Sequence, residues 1–282
     1  MRDKRMFIQF IHPGGEHSPD SGRTKHWNDK LHRRKFMTAS GSISDGVGVQ
    51  EAEVMFWGEW EAESRVVRTF RDARGAEPHF LFEPYYRPRS SYLGLQNTDP
   101  FVFGGFHYTG CQQRTVKGPT QMRYLRDGSI ILFGSCLRKS EFMLDTVFVV
   151  AGHVDHCKDD FDQTVAPRIS QEYRDVTFGP WYDNEVDEQR DWRLYSGATI
   201  DSPYSGMYSF FPALPMESDG NGFSRPIINL PGYMTPHLLQ GRKTTEVGEE
   251  LANDLWQSVV DQVLQQDLML GVRAELPKEE RS

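Results

Sequence analysis

The sequence has no run of 18 apolar residues, so no segment reads as a membrane-crossing helix. Its first residues, Met1-Arg-Asp-Lys-Arg-Met-Phe-Ile-Gln-Phe, carry too short an apolar stretch for a secretory signal, and no small-residue cleavage site follows. Cysteine is scarce: three residues, odd in number and without paired spacing, fit a reduced setting rather than a disulfide framework. The expectation is a cytoplasmic protein with no membrane partner. The phosphate-loop pattern GxxxxGK[ST], the dinucleotide pattern GxGxxG, the nucleophile elbow GxSxG and a four-cysteine zinc pattern are all missing. Their absence disfavours a nucleotide hydrolase, a dinucleotide-dependent oxidoreductase and a common serine hydrolase. No internal repeat is visible, and no cofactor is indicated.

What is present is enough for a folded core. The 282 residues are 38% hydrophobic and 12% aromatic, too rich for a disordered chain. Net charge is −8, but it is unevenly spread. Residues 1–40 hold nine Lys/Arg against four Asp/Glu, and 101–154 hold six against three, on an otherwise acidic chain. Overall acidity argues against a non-specific nucleic-acid coat, whereas a local basic site for one phosphate or a short strand remains compatible.

Met6–His12 reads as a strand ending at the turn Pro13-Gly14-Gly15, with Glu16 and His17 just beyond. Loops after strands present chemistry, so His12, Glu16 and His17 are candidate acid–base residues. As H-x₃-E-H they could also bind a metal, although the glycine turn rules out the helical zinc-protease spacing. Trp27, Asn28 and Arg33, the last within a basic triplet, suit an anion or a nucleotide phosphate. The types His153, His156, Cys157 and Asp160 would serve zinc, yet no second ligand pair stands at a familiar distance, and an acidic exposed loop is the reading preferred. No metal site is assigned.

Ala52–Glu63 alternates as a strand does, which would put Trp57, Glu59 and Glu61 on one face. Two indoles, Trp57 and Trp60, beside Glu59 offer a stack and a carboxylate for a flat base or a cation; core packing is the plainer alternative. Arg65, Arg68, Arg71 and Arg74 recur every three residues, suggesting a short amphipathic helical turn with a solvated arginine stripe. Pro78–Pro100 reads as a long ordered loop with at most short strands.

The chain reads as organised around Phe101–Val150, a ligand-bearing β-hairpin. His107, Tyr108, Gln112, Gln113 and Arg114 supply the amide and guanidinium groups that read base edges or hold a phosphate. Cys111 is a candidate nucleophile. With His107 as its base the two would sit ~13 Å apart in an extended chain, unless a turn at Thr109-Gly110 brought them together. After it, Val247, Leu251, Leu255, Val259 and Val263 repeat every four residues, with Thr245 as cap and Gly271 as stop. That is a helix of roughly 25 residues, near ~37 Å, able to pack on the sheet or pair two copies as a homo-oligomer. The expected organisation is a single β-rich domain over 1–243 with long loop insertions, and a helix at 244–272 packed on it.

Tyr124-Leu-Arg-Asp-Gly-Ser-Ile-Ile-Leu-Phe-Gly-Ser135, followed by Asp145–Val150, resembles a strand pair of the PUA-like superfamily. In its EVE and ASCH branches a basic-x-Gly-Asp turn leads into such a pair; here Gly-Asp becomes Gly128-Ser129. The stretch is also similar to the nucleotide-modification-associated domains. The resemblance implies a mostly antiparallel, partly closed β-barrel, and with the long loops and long C-terminal helix read from the residues the expected fold is α+β. The resemblance also implies recognition of a nucleotide or modified nucleobase, in DNA or RNA, in a polar-aromatic pocket. The alternatives are an enzyme acting on a nucleobase, nucleotide or nucleic acid through His12, Glu16 and His17, and a structural or interaction protein.

Overall fold

The computed structural model describes residues 3–12, 14–19, 33–71, 73–87, 98–137, 141–179, 191–217, 222–235, 238 and 240–280. Two seven-stranded sheets make up most of it, and in the second an extra antiparallel pairing joins the segments 270–274 and 41–44. The first runs β14 (Gly241–Glu246), β1 (Met6–Ile11), β9 (Ile130–Leu137), β10 (Glu141–His156), β11 (Trp192–Gly197), β6 (His107–Tyr108), with β13 (Ile227–Ile228) added to β10. The second runs β15 (Met269–Ala274), β12 (Phe211–Pro215), β3 (Val49–Gly58), β2 (Lys35–Ser44), β5 (Phe80–Tyr86), β16 (Lys278–Glu279), with β4 (Ser64–Thr69) added to β5. A small hairpin, β7 (Arg114–Thr115) and β8 (Gly118–Pro119), stands apart. Pairing is antiparallel except for β1 with β9, β2 with β5 and β5 with β16.

The central strands are buried on both faces, which is why they read as continuous apolar runs rather than alternating ones. Met6, Ile8 and Phe10 of β1 enter one core, while Phe7 and Ile11 enter the other. Ile131 and Phe133 of β9 divide from Ile130 and Leu132 in the same way, and Val54 and Phe56 of β3 from Met55 and Trp57. Each core thus draws on both sheets. The turn at Asp127-Gly128 that launches β9 needs glycine twice over. Gly128 has φ +79°, and a Cβ there would come within 2.5 Å of the Tyr204 ring.

Four expectations are corrected. No closed barrel forms: the hairpin of β9 and β10 that resembles a PUA-like pair lies inside an open sheet. The chain is mostly β rather than α+β. No long C-terminal helix is present either; the helix spans Glu249–Leu264, 16 residues, and two strands follow it. Thr245 belongs to β14, and the N-cap is Gly248. The four-residue repeat holds as far as Val263; then Asp267 takes φ +57°, and Gly271 pairs with Phe211 inside β15. Ser64–Thr69 is an edge strand, not a helical turn, and a bulge between Val66 and Arg68 resets its alternation. Among the described residues no helix is long and apolar enough to cross a membrane.

The helix buries Ala252, Leu255, Trp256, Val259, Val260 and Val263 in the second core. Trp256 also donates Nε1–H to the Tyr208 carbonyl at 2.9 Å and meets the Tyr208 ring edge-on at 5.0 Å. Trp256→Ala should therefore lower unfolding free energy by about 3–5 kcal/mol in urea denaturation; a loss under ~1 kcal/mol would mean that the helix is peripheral to the core.

Candidate functional site

His12 follows β1 and continues its parallel ladder, donating its N–H to the Gly134 carbonyl at 2.8 Å. Strand alternation puts its ring on the same side as Phe10, and the two rings meet edge-on at 5.1 Å. Glu59 follows the last residue of β3, opposite the start of β2. Cys111 lies in the turn after β6. Gly110, at φ +75°, lets the chain reverse there, and Gln113 N–H closes the turn on the Gly110 carbonyl at 3.0 Å.

These three segments converge. Cys111 Sγ lies 3.1 Å from His12 Nε2, and His12 Nδ1 lies 3.0 Å from Glu59 Oε2. His12 and Glu59 are each 6% exposed, whereas Cys111 is partly open to solvent. The line continues inward. Arg34 Nη1 is 3.4 Å from the same Glu59 oxygen, too poorly aligned for a hydrogen bond, while its Nε donates to Asp145 Oδ2 at 2.6 Å. Arg225 Nη1 donates to Ser135 Oγ at 2.8 Å and lies 3.3 Å from Asp145 Oδ1, with its guanidinium over the Trp57 ring. A thiol, an imidazole, two carboxylates and two guanidinium groups thus form one chain of contacts between the sheets.

Burial lowers the Arg34 pKa, but the Asp145 and Glu59 charges outweigh it and hold the group above its ordinary value. Arg225 goes down, chiefly through burial, with Asp145 opposing. The Cys111 thiol is pushed well above its ordinary value by burial first and then by Asp99, Glu59 and Glu61; Arg34 acts the other way. At neutral pH Cys111 is a thiol. It becomes a nucleophile only as a base removes its proton, and His12 Nε2 stands where that base must stand.

The remaining expected residues divide by location. Glu16 accepts the backbone N–H groups of His79 and Phe80 at 2.7 and 2.9 Å and faces His79 Nδ1 at 2.6 Å, so it pins the start of β5. His17 donates its N–H to the Arg34 carbonyl, and its ring meets Phe82 edge-on. Glu16 and His17 thus meet His79, Phe80, Arg34 and Phe82, whereas His12 meets Glu59 and Cys111. Arg33 is exposed and donates to the Glu16 carbonyl; Arg34, its neighbour on the other face, is the one that enters the site. Trp57 is 3% exposed in the second core, bonded to the Phe223 carbonyl, and Trp60 is 1% exposed against Phe101 and Phe103 in the first. They are core residues on separate sides of the sheet and share no stacking surface.

His107 stacks on Tyr173 at 5.3 Å, away from the thiol, and burial takes its pKa down to about 4. Tyr108 is fully buried and donates to the Cys111 carbonyl at 2.5 Å. Gln113 clamps the Arg193 backbone through both ends of its amide. Gln112, at φ +56°, accepts from Arg242 at 2.5 Å, and Arg114 donates to the Asp191 carbonyl. Trp27 and Asn28 lie outside the described residues. Among the described residues no group of three His, Cys, Asp or Glu is arranged to hold a metal ion, the His153–Asp160 segment included.

Sequence reasoning missed Arg34, Asp145 and Asp99. One signal was available: Asp145 is a lone carboxylate in the apolar run Phe142–Val150, and a charge there must be paired. Asp145→Asn removes the carboxylate that faces both buried arginines, leaving Arg34 only Glu59, and should destabilise the fold by about 3–5 kcal/mol. The exposed Arg33→Ala should stay within ~0.5 kcal/mol. Chemical denaturation of the two variants checks the contrast, and equal effects would contradict it.

Compared with known proteins, the chain matches no family model, no curated protein and no solved structure.

Proposed function

We propose that this chain is an enzyme working through a nucleophilic cysteine, with Cys111 as nucleophile, His12 as its general base and Glu59 as the group that orients His12. The observation that carries the reading is the unbroken line from Sγ to Nε2 at 3.1 Å and from Nδ1 to Oε2 at 3.0 Å. With Nδ1–H donated to Glu59, the Nε2 lone pair faces the thiol, the tautomer that a base requires. Sγ attacks an electrophilic carbon as Nε2 takes its proton. The imidazolium, steadied by Glu59, then protonates the leaving group. Water, deprotonated by the same nitrogen, releases the product and restores the thiol.

Glu59 can serve only while ionised, and Arg34 beside the same oxygen supports that state. Binding of a base without turnover, the first reading expected from the sequence, drew on Trp57 and Trp60 for stacking and on Tyr108, Cys111, Gln112, Gln113 and Arg114 for polar contacts; of these Trp57, Trp60, Tyr108 and Gln113 are engaged inside the fold.

Iodoacetamide labelling of Cys111, followed by peptide mass spectrometry, tests the assignment. Because the thiol pKa is raised by burial and by Asp99, Glu59 and Glu61, labelling should be slow at pH 7 and climb through a midpoint above the ordinary thiol value. His12→Asn should slow labelling by at least about tenfold at pH 8, since general-base help is worth 10²–10⁴-fold. A folded His12→Asn protein that labels as fast as the parent would remove His12 as the base.

A further inference from the structure

In acyl transfer, the nucleophile's own backbone N–H commonly faces the oxygen on which negative charge develops. Here that donor is already shared between the Thr109 carbonyl, at 2.8 Å, and a carboxylate. Asp99 Oδ2 accepts the Cys111 N–H at 3.0 Å, and Oδ1 accepts the Thr109 N–H at 2.8 Å. Asp99 is 1% exposed and held at both oxygens, so it forms a fixed negative wall behind the nucleophile. Glu59 stands one imidazole away, and Glu61 adds its field to the thiol. The nearby cations are committed: Arg34 lies between Asp145 and Glu59, and Arg242 holds the Gln112 amide oxygen. Among the described residues, an oxyanion forming beside Asp99 would meet like charge instead of donors.

A different electrophile suits this wall. We propose that Cys111 attacks a cationic C=N carbon, an amidinium, a guanidinium or a protonated heterocycle with the same N–C=N unit, in preference to an ester or amide carbonyl. This rests on the thiol–imidazole reading given above and narrows its substrate. As Sγ bonds to the carbon, the C=N π pair moves onto nitrogen and cancels its positive charge, so no new anion appears next to Asp99. His12 Nε2 takes the thiol proton and passes it to the departing amine as the C–N bond breaks. The cationic thioimidate left on Sγ is attacked by water, with His12 taking the water proton. The C–S bond then breaks, the thiol is restored, and an amide or a urea leaves with net release of one proton. A bound cation also stabilises the thiolate that the carboxylates disfavour, so substrate and nucleophile activate one another. The N–C=N unit of a nucleobase belongs to this class, so the ligand type expected from the sequence falls within it.

Three size-matched alkylating probes test this: 2-chloroacetamidine, 2-chloroacetamide and chloroacetate, which are cationic, neutral and anionic. Each rate at Cys111 is divided by the rate with a small neutral thiol to remove intrinsic reactivity. The amidine-to-amide ratio should exceed that of the free thiol by at least about tenfold, a gap of ~1.4 kcal/mol in barrier, and chloroacetate should be slowest. Glu61→Gln, at a partly exposed position, should shrink the preference; Asp99→Asn should shrink it further if the variant folds. If chloroacetamide labelling still depends on His12 but the amidine shows no preference, the substrate class is wrong and the triad stands. If no probe depends on His12, the triad itself falls.

Discussion

A carboxylate that is 6% exposed must be paired or neutral, and Glu59 is paired on both sides, with one oxygen facing His12 Nδ1 and Arg34 Nη1. Much else follows from that shared oxygen. It fixes the orientation of His12 toward Cys111, and it gives Arg34 a second counter-charge besides Asp145. Through Asp145 it reaches Arg225 and Ser135. Buried ionic chains of this kind contribute little net stability, yet losing one partner is costly because the others are left uncompensated. Keeping such a chain inside an otherwise apolar double core makes sense if the reactive end, Cys111, needs a rigid and predefined partner.

The fold supplies that rigidity from distant parts of the chain. His12 is set by the parallel pairing of β1 with β9, Glu59 by the end of β3, Arg34 by the residue before β2, and Cys111 by the turn after β6. Both sheets therefore hold a piece of the site, and packing of the two cores holds those pieces together. Tyr108 and Asp99 complete the support by gripping the Cys111 carbonyl and N–H. Side chains locked by packing and hydrogen bonds on regular elements stay within the tight tolerances that catalysis needs.

Parts of this were legible in the sequence. Met6–His12 and Ser129–Ser135 read as strands, close to the observed Met6–Ile11 and Ile130–Leu137, and His12 and Cys111 stood out singly, one at a strand end and the other beside a glycine turn. Their meeting was not legible, because it depends on a long-range strand pairing that no local pattern encodes. Local rules failed at element ends. Alternation placed Trp57 and Glu59 on one face, but β3 stops at Gly58, and the chain then sends Trp57 to one core and Glu59 to His12. In the basic triplet, attention to Arg33 missed by one residue the buried Arg34. The helix pattern was sound through Val263 and misleading beyond it, where Asp267 adopts a left-handed backbone.

The central claim is that His12 presents an unprotonated Nε2 to the Cys111 thiol because Glu59 holds the proton on Nδ1. Nitrogen-15 NMR of the imidazole at neutral pH reads this directly. The account predicts a neutral ring protonated on Nδ1, with its Nε2 resonance shifting when Cys111 is alkylated and its tautomer preference lost in Glu59→Gln. A ring protonated on Nε2, or one indifferent to both changes, would contradict it.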